Sequence, residues 1–314
     1  MLSLTIFEAR SAILDKSVVE QNRNQAVKKK KFLFFVVDKE VSESTNFKIG
    51  LKSLQKISPD WRHYFESMIK AAASEWSRHA DVNFHFISPD SNEKVDFEVV
   101  VYTSNERPHS RRGRSSHGSV DFSQKVINLN LPGDASPGSH FKVALHELGH
   151  VLGFQHEHQH PDRNFNFDFD FLMSKCGLGS KNTCRRSIEH NSMLTFSGSK
   201  FEVKDYDVES IMHYGVHRPL IKEDLVIKES MSLSLGDKIA VAEAYPGRRD
   251  ISEIIQEHRS LEKIRSSGII GKCTLSEEGP GDYRYRYNDG NEGRFIEETF
   301  ENAATNALLD PNCF

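Results

Sequence analysis

His146-Glu147-Leu148-Gly149-His150-Val151-Leu152-Gly153-Phe154-Gln155-His156 is the stretch on which the fold turns. Read as an α-helix, it sets His146 and His150 four residues and about 40° apart around the axis, so both imidazoles reach one metal ion from one face. Glu147 then stands beside that metal, within reach of a water on it. Gly153 is able to take the positive φ that ends a helix and reverses the chain, which brings His156 back as a third ligand. Three neutral ring nitrogens and one open position are the composition of a catalytic zinc site; structural zinc sites are closed by four protein ligands. A bare HExxH recurs by chance on ordinary helices, where its histidines face solvent. The glycine and third histidine at fixed spacing set this run apart. Phe141, Ala144, Leu145, Leu148, Val151 and Leu152 recur at helical spacing, so the metal face and a face for burial belong to one helix.

Outward from that helix, the composition bounds the rest. A chain of 314 residues holds one large domain or two small ones. A formal net charge of -4 and a pI near 6.4 give no reason to expect nucleic acid as a partner. No apolar run approaches the roughly 18 residues a membrane span needs. The longest, Phe32 to Val37, is bounded by Lys31 and Asp38 and reads as a buried strand. Residues 1–31 are polar, lack a period and end in Lys28-Lys29-Lys30-Lys31, the character of a leader or pro-segment, or of a solvated arm. Glu8 and Arg10 interrupt what would be the apolar core of a secretion signal. Cys176, Cys184, Cys273 and Cys313 allow three pairings. Their placement as a close pair and a wide pair suggests local disulfides Cys176–Cys184 and Cys273–Cys313; four free thiols in a reducing compartment are the alternative.

Before the metal helix, Ser58-Pro59 reads as an N-cap with proline at the first helical position, and Trp61, Phe65, Ile69, Ala72 and Trp76 follow at helical spacing. Val82-Phe84-Phe86, Phe97 to Tyr102 and Ile127-Leu129-Leu131 read as strands. Strand, helix, three strands and the metal helix make an α+β arrangement. Thr103 to Ser119, with Arg107, Arg111, Arg112 and Arg114, reads as a solvated loop. His85, His109, His117, His140, His158 and His160 read as ordinary polar residues, and Phe165 to Phe171 reads as a turn-rich wall of the cleft in preference to a calcium site on Asp168 and Asp170. The chain looks irregular from Gly177 to Ser210. Ile239, Val241, Ala242 and Tyr245 mark a helix after Leu233-Ser234, and Ile251 to Ile264 a charged one. Residues 268–314 look like a small appendage or partly disordered tail.

The run from His146 to His156, with Ser210-Ile211-Met212-His213-Tyr214, resembles the metzincin zinc endopeptidases and, within them, the astacin-like branch. Glu157, Arg163, Leu233-Ser234 and Asp237 agree with that pattern. The resemblance implies a twisted, mostly parallel sheet with two long helices above an irregular C-terminal subdomain, with the cleft between them. It covers residues 32–246 and leaves 247–314 as a C-terminal helical extension and Cys-containing tail. His146, His150, His156 and Tyr214 are then zinc ligands, Glu147 the general base, Met212 the methionine of a tight turn beneath the metal, and Tyr214 also a donor to the oxyanion. The implied activity is endopeptidase cleavage of a peptide or protein substrate by a monomeric, secreted enzyme, the substrate lying extended along an edge strand within Ser115 to Phe122. The segment His156 to Pro161 is similar to microbial and fungal members. Two departures stand out: the leader has no aspartate motif of the kind that blocks zinc, and the cysteines do not match the usual pair of disulfides. A catalytically silent module that keeps the fold as a scaffold is the alternative, although such modules lose the base or a ligand.

Overall fold

The computed structural model describes residues 45–103, 118–195 and 205–267, together with strand residues between 269 and 297. Asn46–Gly50 (β1), Asn83–Ile87 (β2), Phe97–Tyr102 (β3), Gly118–Asp121 (β4) and Val126–Asn130 (β5) form one sheet in the order β2-β1-β3-β5-β4. Neighbours run parallel, except that β4 runs antiparallel to β5 at the edge. Parallel neighbours need a crossover, and the one from β1 to β2 contains the long helix Pro59–His79 (α1). Phe65, Ile69, Ala72 and Trp76 on this helix are buried with Phe47, Ile49, Val99, Ile127 and Leu129 of the sheet in one core.

Pro137–Val151 (α2) lies against α1, and Trp76 Nε1–H donates to the Leu145 carbonyl across the interface at 2.9 Å. A buried indole N–H needs such an acceptor, and this one fixes the register of the two helices where the metal ligands begin. Trp61 leaves the expected apolar stripe: it is 42% exposed and stacks on Phe65. Ser58 occupies the N-cap position as expected, but its side chain makes no capping bond.

Other expectations need correction. β1 carries only two apolar residues, Phe47 and Ile49, too few for periodicity to mark it, while the expected strand Phe32 to Val37 lies outside the described residues. Asp168 caps the helix Phe169–Lys175 (α3), accepting from Phe171 N–H at 2.8 Å. The stretch read as irregular after Gly177 contains Lys181–Ile188 (α4) and a π-helical turn, Glu189–Met193. Only Cys184 and Ile188 of α4 are buried, so it lacks a broad apolar face to reveal it. Phe165 and Phe167 form a second, smaller core with Val216, Ile221 and Ile227.

Leu235–Ala244 (α5) and Ile251–Ser267 (α6) follow as expected, and Glu257 of α6 pairs with Arg78 of α1 at 2.6 Å. The presumed tail contains an antiparallel sheet of Ile269–Ile270 (β6), Cys273–Gly279 (β7), Asp282–Tyr287 (β8) and Glu292–Glu297 (β9). Cys176 and Cys184 are joined as expected. Cys273 is also disulfide-bonded; its expected partner, Cys313, lies outside the described residues, as do residues 1–31 and most of the arginine-bearing loop. Among the described residues no helix is long and apolar enough to cross a membrane.

Candidate metal centre

Ser136 caps α2 by accepting from Ser139 N–H, Pro137 opens it, and Val151 ends it. Gly153 has φ of 93°. Its N–H donates to the His150 carbonyl at 2.9 Å, and Phe154 N–H donates to the Gly149 carbonyl at 3.0 Å. This pair of bonds is a Schellman termination, which needs the left-handed residue that glycine supplies at least cost. The reversed chain then does two things. It presents the Phe154 carbonyl to His150 Nδ1 at 2.7 Å, and it brings His156 back so that its Nε2 lies 3.0 Å from His150 Nε2.

His146 Nδ1 donates to the Ile211 carbonyl at 2.8 Å. A carbonyl only accepts, so on both helix histidines Nδ1 carries the proton and Nε2 the lone pair. One ligand nitrogen from each of His146, His150 and His156 lies within 4.8 Å of the others. Nitrogens bound at about 2.0–2.1 Å to one tetrahedral ion stand roughly 3.3 Å apart, so this donor set fits a metal of the zinc type. Burial pushes His150 down to about 4, against the opposing effect of its bond to Phe154. Burial, then the neighbouring histidines, pushes His156 well below the usual range. Neutral imidazoles are the form a metal requires.

Glu147 is 1% exposed, and burial raises its carboxyl well above the usual range. Its Oε2 has no hydrogen-bond partner among the described residues. A cation beside it would act in the opposite sense and favour the carboxylate. Gly118, the first residue of β4, makes room for it: a Cβ there would sit 2.5 Å from Glu147 Oε1 and 2.7 Å from the Asn128 carbonyl.

Ser210 to Tyr214 arrives from the other side. His213 N–H donates to the Ser210 carbonyl at 3.0 Å and closes a tight turn. Asp237, buried in the first turn of α5, holds that turn by accepting from Ser210 Oγ at 2.6 Å and from Ile211 N–H at 2.8 Å. It also forms the capping box of α5 with Ser234. Burial raises Asp237 to about 6, against the three donors aimed at it. Met212 packs beneath α2 on Gly149, where a Cβ would sit 2.6 Å from Sδ. Glu157 ties the third histidine to this turn: its N–H donates to the Met212 carbonyl at 3.0 Å, and its Oε1 accepts from Asp207 N–H at 2.9 Å. The Tyr214 ring lies 4.4 Å from that of His156 and 5.5 Å from that of His146.

All the expected site residues, His146, Glu147, His150, His156, Met212 and Tyr214, thus meet at one place. Three histidines whose sequence context reads as ordinary and polar are also buried. His140 is buried between Tyr64 and the Pro132 carbonyl. His158 and His160 are buried as well, His158 with its ring against Tyr214. The only trace of this in the sequence is the density of histidine in His156-Glu157-His158-Gln159-His160, which does not say which rings turn inward.

The family profile Astacin (Peptidase family M12A) matches residues 54–227, more than half of the chain. The chain belongs to the astacin family. It is accordingly a peptidase of the metalloprotease kind, and proteins or peptides are its substrates. Among solved structures, this astacin resembles myroilysin, with a TM-score of 0.51 and 24% identity over 64% of this chain and 93% of that one. High choriolytic enzyme 1, a hatching-enzyme zinc-protease of the medaka fish Oryzias latipes, matches with a TM-score of 0.41 and 16% identity over 63% of this chain and 87% of that one. The likeness to myroilysin bears on the fold alone. No curated protein matches the chain.

Proposed function

We propose that this astacin is a zinc endopeptidase in which His146, His150, His156 and Tyr214 hold the metal and Glu147 is the general base. The observation that carries the reading is the convergence of three imidazoles, two with their lone pairs fixed by backbone carbonyls, beside a buried carboxyl. A zinc ion held there supplies Lewis acidity, lowering the pKa of a water towards neutrality and polarising the scissile carbonyl. Glu147 takes the proton of the attacking water and passes it to the leaving amine. The Tyr214 hydroxyl donates to the oxygen on which negative charge develops, an interaction realised mainly in the transition state. Met212, packed on Gly149, supports the ligands from below.

β4 supplies the substrate rail in this reading. As the last strand of the sheet it has an edge facing away from β5, where an extended peptide can add as a further strand. Its Gly118 end abuts Glu147, which brings a scissile bond on that edge to the base. The Cys176–Cys184 disulfide supports a secreted enzyme, because such bonds persist in oxidising compartments. Casein hydrolysis that is stopped by a chelator and restored by zinc is the expected result. Hydrolysis that survives complete removal of metal would overturn the reading, and failure of a fully zinc-loaded, folded protein to cut casein, gelatin or any of a peptide library would point to the silent module.

A further inference from the structure

Of the buried rings without a role so far, His158 stands nearest the reacting groups. It is 1% exposed, and its ring lies 4.7 Å from that of Tyr214 with only 17° between the planes. Its other contacts hold it firmly. Nε2–H donates to the Asn191 carbonyl at 2.8 Å, the His158 carbonyl accepts from Arg163 Nη1 at 2.8 Å, and Phe167 abuts the ring edge-on at 5.9 Å.

Asn191 belongs to the π-helical turn Glu189–Met193, whose consecutive carbonyls serve as a rack of acceptors for the segment after the third ligand. The His190 carbonyl takes Gln159 Nε2, that of Asn191 takes His158, and those of Ser192 and Met193 take Arg163. A π-turn departs from the ordinary helical ladder, and such turns concentrate at functional sites. With Nε2 committed as donor, Nδ1 of His158 is buried without a hydrogen-bond partner among the described residues. A buried polar atom left in that state costs stability, so packing alone does not explain a histidine here. A ring that is both flat and pinned by an N–H does.

We propose that His158 is a positioning residue for Tyr214, a pinned flat wall that sets the plane of the phenol ring and so the place of its hydroxyl. The proposal rests on the reading of Tyr214 as metal ligand and oxyanion donor. Near-parallel rings resist tilting out of plane yet slide over one another, whereas an edge-on ring would interlock with the phenol. A phenol that binds the resting metal and then moves to the oxyanion needs that combination.

The test compares His158→Phe with His158→Leu. Both delete the donor to Asn191, so both lower the thermal midpoint; only phenylalanine keeps a flat ring. In protein substituted with copper(II), a bound phenolate gives a visible charge-transfer band, and we expect it in the wild type and His158→Phe but shifted or lost in His158→Leu. With zinc, kcat of His158→Leu should fall about tenfold or more below that of His158→Phe while KM stays within about twofold, since small misplacements of a reacting group are costly in rate. In a Tyr214→Phe background, His158→Leu should cost nothing further, because both changes act through one hydroxyl. An unshifted band, or the same loss of kcat in that background, overturns the proposal while leaving Tyr214 its role. A wild-type copper protein without the band, or an unchanged kcat in Tyr214→Phe, overturns the Tyr214 reading itself and takes the proposal with it. Should His158→Leu not fold, His158→Ala serves in the same comparison.

Discussion

The centre is built from two regions that aim their side chains in different ways. From His146 to His156 the three imidazoles lie within eleven consecutive residues, and the bonds that orient this run are mostly short in sequence: the Schellman termination at Gly153 and the return of the Phe154 carbonyl to His150. The turn from Ser210 to Tyr214 has no such autonomy. Asp237, Glu157 and His146 reach it from 26 residues or more away. One helix and its C-cap can approximate the first region; the second exists only when the domain is folded. Damage to the first should therefore remove the metal, while damage to the second should leave the metal and alter rate or stability.

The largest effect should come from His150→Ala. A three-histidine site reduced to two loses affinity and geometry together, so elemental analysis of the purified variant should find most of the zinc gone and peptide hydrolysis with it. Full zinc occupancy would mean that the local region is not the holder. On the other side, Tyr214→Phe should keep its zinc and lose about 10²- to 10³-fold in kcat, the usual cost of one oxyanion donor, with a smaller change in KM. Loss of zinc from Tyr214→Phe would erase the division of labour between the two regions.

Asp237 sharpens the comparison through pH. Its folded pKa, about 6, lies above the 3.8 of an exposed aspartate. The folded state thus prefers the protonated form: the contribution is fully present below pH of about 4 and is lost as pH rises through about 6. Asp237→Asn does not titrate. Denaturant unfolding of the zinc-loaded proteins should show the wild type losing about 2 kcal/mol relative to Asp237→Asn between pH 4 and 7. A pH-independent gap would show that the donors from Ser210, Ile211 and Ser234 balance burial, and a wild type that gains on Asp237→Asn as pH rises would show that they outweigh it. An effect of similar size belongs to the Cys176–Cys184 disulfide, which closes a loop of eight-residue separation. Replacing both cysteines by serine should cost about 2.5 kcal/mol by loop-closure entropy, with zinc content unchanged.

What the sequence made legible divides along the same line. The metal helix, its glycine stop and the ligands could be read from spacing, because helical periodicity and a positive φ are local properties of His146 to His156. The second region was reached only by resemblance. Nothing local says that Asp237 will hold Ser210 or that Glu157 will hold Met212; those bonds follow from how the chain returns on itself. α4 escaped for a related reason, since Cys184 and Ile188 alone face inward and the remaining residues are polar. β1 escaped because two apolar residues make no period. His158 was invisible because its burial is decided by the carbonyl of Asn191, more than thirty residues on.

Glu147→Gln tests the central claim most directly. The amide preserves size and leaves His146, His150 and His156 untouched but cannot take a proton from water. Zinc content and peptide turnover, measured on one preparation, should show one zinc per chain and a loss of roughly 10²- to 10⁴-fold in kcat, the usual worth of general-base catalysis. Zinc-loaded Glu147→Gln that keeps more than about a tenth of wild-type turnover would contradict the account, because so small a loss is below what a general base contributes.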